Sequence, residues 1–284
     1  MDSQEAQNAG PKRAGDTSKL AQNDANTVRH VIGVVSGKGG VGKSLVSGLI
    51  ACNAARQGLK VGIMDADITG PTIPHMFGIE HMGLRGINNF ILPVTTKTGI
   101  EVVSINLMIK NPDDPVIWRG PMLGGVIEQF WNEVIWRDLD LLVCDMPPGT
   151  GDVALTMFQR LPIDGVVIVS SPQDLVANIV GKAVKMAQQM NIPVLGIVEN
   201  MSYVECPDCG KRIEVFGKSN IEEVAARYGL DVLARLPMNP DFAKLCDEGH
   251  AEDIPEQGID AQKLIDKAAE KTAFAAVAGG WSLE

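Results

Sequence analysis

Val31-Ile-Gly-Val-Val-Ser-Gly-Lys-Gly-Gly-Val-Gly-Lys-Ser-Leu45 decides the fold. A mostly β-branched apolar run leads into a glycine-rich turn, and the turn ends in Lys-Ser before an apolar run at helical spacing. Gly37, Gly42, Lys43 and Ser44 satisfy G-x-x-x-x-G-K-[ST], with Lys38, Gly39, Gly40 and Val41 between them. Glycines let the backbone curl so that successive N–H groups face phosphate oxygens, and the following helix adds its positive N-terminal end. Lys43 is placed to neutralise β/γ-phosphate charge, and the Ser44 hydroxyl to complete a Mg²⁺ shell. The strand-before, helix-after context that a phosphate-binding loop requires is present, so a nucleotide site is expected here.

Outward from this loop the pattern repeats. Strand-like runs at Val31–Ser36, Lys60–Asp65, Glu101–Leu107, Leu139–Cys144, Gly165–Ser170, Pro193–Val198 and Asp231–Leu236 alternate with helical patterns. The helical patterns are Ser44–Gln57, Met122–Val134, Val153–Leu161, Leu175–Met190, Ile221–Tyr228 and Asp241–Glu248, with a closing Ala261–Ala278 stopped by Gly279-Gly280. Strands of nearly continuous Val, Ile and Leu are buried on both faces. The expectation is a doubly wound α/β fold, a mostly parallel sheet with helices on both sides and ligands at the carboxyl ends of the strands. One domain is expected over residues 29–278. A polar tail, 1–28, precedes it, too poor in apolar side chains to offset its ordering entropy, and a short tail, 279–284, follows.

Two further strands end in acid. Lys60-Val-Gly-Ile-Met-Asp65-Ala-Asp67 and Leu139-Asp-Leu-Leu-Val-Cys-Asp145 each run from apolar residues into carboxylates. Magnesium takes octahedral oxygen ligands and keeps several waters, so one carboxylate acting through water suffices; that role goes to Asp145. Asp67, further into its loop than Asp65, is placed to orient or deprotonate the attacking water. A strand-terminal Asp also caps a following helix in many α/β proteins. Pro147-Pro148-Gly149-Thr150-Gly151, stiff then pliant, could sense a γ-phosphate through a glycine N–H or serve only as a tight turn.

The 284 residues carry 45% hydrophobic and 21% charged side chains and a net charge of −10, a globular composition that disfavours non-specific binding to nucleic acid or anionic membranes. No apolar run is long enough for a membrane span. Five scattered cysteines do not form a disulfide framework, and the reducing cytoplasm is the expected compartment. Cys206-Pro-Asp-Cys209 sits at the tip of a predicted hairpin, 203–216, where two thiolates converge on one metal. Two thiolates make half a site. Cys246 and His250 could complete a zinc site; a redox dithiol is another option; and two copies related by a twofold axis would bring four thiolates together. Lys211 and Arg212 beside the pair would offset thiolate charge.

Lys38 inside the loop gains meaning from a resemblance. Gly37-Lys-Gly-Gly-Val-Gly-Lys-Ser44 resembles the deviant phosphate loop of the ATPases that include nitrogenase iron protein, the arsenite ATPase and the Min/Par positioning ATPases. More narrowly, Asp65-Ala-Asp-Ile-Thr-Gly-Pro-Thr-Ile-Pro74, Trp118-Arg-Gly-Pro-Met122, Asp145-Met-Pro-Pro-Gly-Thr-Gly-Asp152 and Glu199-Asn-Met-Ser-Tyr203 before Cys206 and Cys209 are similar to the Mrp/ApbC iron–sulfur cluster carriers. The resemblance spans nearly the whole chain after the tail. It implies a homodimeric ATPase using ATP and Mg²⁺, with Lys38 reaching the partner's nucleotide. It also implies a [4Fe–4S] cluster bridging Cys206 and Cys209 of two copies, taken from scaffold proteins and handed to apo-protein clients. Asn200 matches the adenine-reading asparagine, and Pro237 lies in the segment beside the base. The tail lacks the four cysteines of eukaryotic cytosolic members, and the extra N-terminal domain of many bacterial members is not expected, so the resemblance is to the short prokaryotic form.

A rival reading is a Min/Par-like regulatory or positioning ATPase with structural zinc at the cysteine pair. It calls for a basic amphipathic C-terminal helix, whereas Lys263–Lys271 mixes signs. His30, His75 and His81 are given no role.

Overall fold

Among the described residues nine strands form one sheet, and its central strands are apolar on both faces, so they must be covered twice. The computed structural model describes residues 19–67, 72–108, 120–149, 151–172 and 176–278. The expectations for residues 1–18, 68–71, 118–119, 150 and 279–284 lie outside them. In chain order the elements are β1 (Thr27–Ser36), α1 (Lys43–Arg56), β2 (Val61–Asp65), α2 (Thr72–Met76), β3 (Arg85–Ile87), β4 (Phe90–Leu92), β5 (Val94–Thr95) and β6 (Glu101–Ser104). There follow α3 (Gly120–Asn132), β7 (Asp138–Asp145), α4 (Asp152–Arg160), β8 (Gly165–Ser170), α5 (Val176–Gln189) and β9 (Val194–Glu205). The chain continues with β10 (Arg212–Ile213), α6 (Ile221–Arg227), β11 (Val232–Pro237), α7 (Pro240–Asp247) and α8 (Ala261–Ala278).

Across the sheet the order is β5-β6-β2-β7-β1-β8-β9, with β11 on the outer side of β9 and β10 pairing with the end of β9. All pairings are parallel except β5 with β6 and β10 with β9. The period of two in a strand sends Ile32 and Val34 to one face and Val31 and Val35 to the other. The first pair packs with α1, α2, α7 and α8 through Leu49, Ile50, Ile73, Phe242 and Leu264. The second packs with α3, α4, α5 and α6 through Phe130, Trp131, Phe158, Val180 and Val224. The doubly wound architecture expected from the sequence is therefore present. Removing a side chain such as Leu49 from water contributes roughly 1.5–3 kcal/mol.

Several boundaries differ from expectation. The Glu101–Leu107 run stops as a strand at Ser104 and closes in a 3₁₀ turn, Ile105–Met108. The Pro193–Val198 run continues as far as Glu205, because its polar end finds ladders to β11 and β10. The β3–β4 hairpin was missed altogether. Residues 19–27, which composition assigned to the mobile tail, are tied down by side chains and backbone alike. Leu20 N–H donates to the Arg160 carbonyl (2.8 Å), Trp131 Nε1 to the Leu20 carbonyl (3.2 Å), and Asn23 Nδ2 to the Asn132 carbonyl (2.8 Å). The parts of a chain that composition calls tail can still dock when their amides meet unspent carbonyls at helix ends.

Candidate nucleotide site and cysteine hairpin

β1 lies at the centre of the sheet between β7 and β8, so the loops leaving β1, β2 and β7 share one crevice. Gly37 is required there because a Cβ would come within 2.3 Å of Ile179 Cγ2, where α5 packs over the start of the loop. Gly42 has φ 79°, a left-handed conformation that favours glycine, and as N-cap of α1 it offers no side chain to cap the helix. No acidic residue occupies the first turn, so the positive end of α1 suits an anion.

The carboxylate expected to serve magnesium is at the centre of the site. Asp145, at the end of β7 and fully buried, accepts hydrogen bonds from Lys43 Nζ at 2.7 Å and Ser47 Oγ at 2.6 Å through Oδ1, and from Ser44 Oγ at 2.6 Å through Oδ2. Lys43 Nζ also lies 3.3 Å from Asp67 Oδ2. The structure thus brings Lys43, Ser44, Asp67 and Asp145 together. The donor set fits a Mg²⁺ ion: one serine hydroxyl, and a carboxylate close enough to hold the ion's waters.

Asp65 stands beside Asp145 in the parallel ladder between β2 and β7. It accepts from Ser104 Oγ at 2.7 Å and from the Asp67 N–H at 3.0 Å. Burial, and then the Asp145 charge, push its carboxyl up to about 8, against the pull of those two hydrogen bonds. Asp65 is therefore a buried acid that fixes the Asp67 loop, while Asp67, partly exposed, faces Lys43.

Other expected residues are placed less simply. Lys38 is half-buried, with its carbonyl accepting from Ser36 Oγ at 3.0 Å. In the Pro147–Gly151 loop the Gly149 N–H donates to the Ser36 carbonyl at 2.9 Å and ties the β7 loop to the phosphate loop. Asn200 is buried, and its Nδ2 donates to the Val41 carbonyl at 2.9 Å. Pro237 ends β11 opposite Tyr203. Ser47 was not foreseen: a serine inside a helix leaves no mark in the sequence beyond its place one turn after Lys43.

The cysteine pair lies on the expected hairpin. Cys206 N–H donates to the Lys211 carbonyl at 3.0 Å, and Gly210 N–H returns to the Cys206 carbonyl at 2.9 Å. Arg212 stacks over the Tyr203 ring, 4.3 Å from its centroid. Hydrogen bonds from the backbone of Asp208 and then of Cys209, followed by the Cys209 side chain, hold the Cys206 thiol below its ordinary value. The other cysteines go the opposite way. Burial pushes Cys52 and Cys144 up to about 12, and raises Cys246 as well. Among the described residues no three His, Cys, Asp or Glu side chains gather as a metal site, so Cys246 and His250 do not complete the pair. His250 Nδ1 instead meets Lys97 Nζ at 2.9 Å.

A parallel sheet whose first strand delivers a glycine loop onto an uncapped helix, with a strand-end aspartate on the loop's lysine and serine, defines a P-loop NTPase. The family model described as ParA: NUBPL iron-transfer P-loop NTPase matches residues 27–273, and the chain belongs to that family. It is 49% identical over 243 residues to an iron-sulfur cluster carrier protein of Clostridium perfringens, a match covering 83% of this chain and 85% of that one. It is 40% identical over 224 residues to the iron-sulfur cluster transfer protein NUBPL of Dictyostelium discoideum, covering 78% and 69%. Among solved structures, a nucleotide-binding protein of Archaeoglobus fulgidus in complex with ADP shares 44% identity at TM-score 0.73, covering 81% of this chain and 90% of that one. The MinD cell division protein of Aquifex aeolicus, at 19% identity and TM-score 0.57 over 86% and 97%, is alike in fold alone. Among the described residues no helix is long and apolar enough to cross a membrane.

Proposed function

We propose that the chain is a homodimeric ATPase that carries a [4Fe–4S] cluster between two copies of its cysteine hairpin, accepts it from scaffold proteins and delivers it to apo-proteins of the cytoplasm. The observation that carries the reading is the half-built metal site. Cys206 and Cys209 stand at the tip of a hairpin, the thiol of Cys206 is biased toward thiolate, and no third ligand from the described residues joins them. A twofold axis supplies the missing pair. Ile213 on β10 and Val215 and Phe216 just after it are exposed, and would offer that second copy an apolar surface. The iron-sulfur names carried by its relatives point the same way.

In the nucleotide site the positive end of α1 and Lys43 take up phosphate charge. Ser44 and Asp145 would hold Mg²⁺, which neutralises charge between the phosphates. Asp67 accepts the proton of the attacking water, and Asn200 and Pro237 flank the base. Lys38 of one protomer completes the other's site, so a triphosphate favours the closed dimer only to the extent that it binds it more tightly than the open one.

Anaerobic reconstitution with iron and sulfide, followed by visible spectroscopy and iron counting, tests the carrier reading. Wild type is expected to hold about two irons per chain, half of a four-iron cluster on four cysteines, and Cys206→Ala none. Zinc held tightly at the pair with no uptake of iron would replace the reading with the regulatory ATPase.

A further inference from the structure

One strand joins the two sites. β9 pairs with β8 and β11 inside the sheet, passes the phosphate loop at Asn200, and ends against β10 one residue before Cys206. It does not pass smoothly. Glu199 lies opposite Arg235 and Tyr203 opposite Pro237, so β9 uses four steps where β11 uses two. Met201 sits within this bulge at φ 57°, a left-handed conformation that a non-glycine residue holds only where its surroundings enforce it. Bulges of this kind re-aim side chains beside functional sites.

Each flank of the bulge has a distinct grip. Toward the phosphate loop, Asn200 Nδ2 holds the Val41 carbonyl at 2.9 Å and lies 2.1 Å from where a Cβ on Gly42 would stand. Away from the loop, the fully buried Glu199 carboxylate accepts from Ser202 Oγ and Ser219 Oγ, both at 2.5 Å, and from Arg235 Nε at 3.2 Å. Arg235 Nε also donates to Ser202 Oγ at 2.9 Å, and its Nη2 faces Glu214 Oε1 at 3.6 Å. Glu214 directly follows β10, the strand that closes the cysteine hairpin. A buried carboxylate is costly to leave without its donors, so this network shifts as a unit or not at all.

We propose that Glu199, Arg235 and Glu214 are positioning residues that carry the state of the phosphate loop to the Cys206–Cys209 hairpin, with residues 200–202 as the hinge. This rests on reading the loop as a nucleotide site and the cysteines as a ligand pair. Phosphate uptake displaces the Val41–Gly42 backbone, Asn200 follows it, and the bulge passes the movement through Glu199 and Arg235 to the base of the hairpin. Linkage makes the effect reciprocal: whatever nucleotide does to the thiolates, a ligand on the thiolates does to nucleotide affinity.

The test is the labelling rate of Cys206 and Cys209 by an alkylating thiol reagent in the full metal-free chain. It is measured with and without a non-hydrolysable ATP analogue and Mg²⁺, at a dilution where the chain is monomeric by sedimentation. Wild type is expected to show a change of about five-fold or more. Arg235→Gln is expected to bind the analogue within about two-fold of wild type while its labelling change falls below about 1.5-fold, the loss of a coupling of that size. Glu214→Gln, at a half-exposed position that leaves the partners of Glu199 intact, is expected to diminish the change without loss of fold, and it decides the matter if Arg235→Gln unfolds. An unchanged rate in wild type, whether or not the analogue binds, overturns the proposal, as does full retention of the effect in the folded variants. An effect that disappears on dilution to monomer also overturns it, since shielding by a second copy then accounts for it. Failure to take up iron would sink the carrier reading and leave this labelling result standing.

Discussion

Lys43 Nζ lies 2.7 Å from Asp145 Oδ1, so the cation of the phosphate loop is held by the carboxylate at the end of the neighbouring strand. Both groups are buried, the lysine 5% and the aspartate 0% exposed, and neither charge is tolerable there alone. The pair keeps the loop assembled before phosphate arrives. Phosphate must then compete with Asp145 for the same ammonium.

Lys43→Ala removes the cation and leaves a buried carboxylate with only two hydroxyl donors. ATP hydrolysis is expected to fall by at least about 100-fold, because the charge developing on the transferred phosphoryl group loses its partner. Stability of the nucleotide-free protein is expected to fall by about 3–5 kcal/mol in urea, the cost of orphaning one half of a buried pair. The double variant Lys43→Ala/Asp145→Asn should recover part of that stability but no activity. Hydrolysis at the wild-type rate in Lys43→Ala would sink the assignment of the loop.

Ser47 is the residue whose role the structure adds. Its hydroxyl is fully buried and donates to Asp145 Oδ1 at 2.6 Å. Ser47→Ala is expected to cost about 1.5–3 kcal/mol, the range for a hydrogen bond to a charged group, read from urea midpoints at constant slope. Nucleotide binding should weaken less than in Lys43→Ala, since Ser47 lies one turn beyond the phosphate-facing end of α1.

Asp65 gives the nucleotide-free protein a pH dependence with a definite sign. Its carboxyl is raised by burial and by Asp145 to about 8, against 3.8 for the free side chain. A raised acid favours the folded state fully below the unfolded value and loses that contribution as pH climbs toward the folded one. Stability is therefore expected to decline from about pH 4 to about pH 8 through this group. Asp65→Asn keeps an acceptor for the Asp67 N–H and carries no proton equilibrium. Its stability, measured by urea denaturation in EDTA, should decline less across that window. Parallel curves for the two proteins would remove Asp65 as the source.

What the sequence made legible was what is local. The phosphate loop, Asp67 and Asp145 announce themselves because spacing along one turn or one strand end fixes their geometry. The alternating Val-rich runs likewise specified a sheet covered on both faces. Long-range pairing was not legible. Glu199-Asn-Met-Ser-Tyr203 breaks the apolar pattern of β9, and long-range partners keep it in the strand: Arg235, Ser219, the Val41 carbonyl and the ladders to β11 and β10. The β3–β4 hairpin hid behind Arg85 and Gly86. Yet Asn88-Asn89, both at positive φ, is the turn chemistry that could have exposed it. Residues 19–27 dock for a reason no composition records: Leu20 and Asn23 donate to the Arg160 and Asn132 carbonyls at the ends of α4 and α3.

The five thiols should separate by reactivity. Cys206 is favoured as thiolate by backbone N–H groups, whereas burial drives Cys52 and Cys144 up to about 12. Brief alkylation of the metal-free protein at pH 7.5, read by peptide mass spectrometry, is expected to modify Cys206 first and Cys209 with it. Cys52 and Cys144 should react only after denaturant is added. Early modification of either buried thiol would show that the sheet and α1 open more readily than their packing implies. Bound iron should protect Cys206 and Cys209 together, and protection of one without the other would contradict a shared ligand pair.

The apolar surface of the hairpin yields the last expectation. Ile213, Val215 and Phe216, on and just after β10, expose 49%, 56% and 45% of their surface, whereas most large apolar side chains among the described residues are buried. In the proposed dimer, thiolate ligation would hold two copies through four sulfurs, and these side chains would add area that leaves water. Phe216→Ser is expected to weaken self-association of the reconstituted protein about ten-fold, the effect of losing roughly 1.4 kcal/mol of apolar burial. The single chain's fold and its nucleotide affinity should be unchanged, because the side chain packs on neither core. Sedimentation equilibrium across a concentration series measures this directly. An unchanged association constant would mean that the two copies meet through another surface, with the hairpins touching only at the metal.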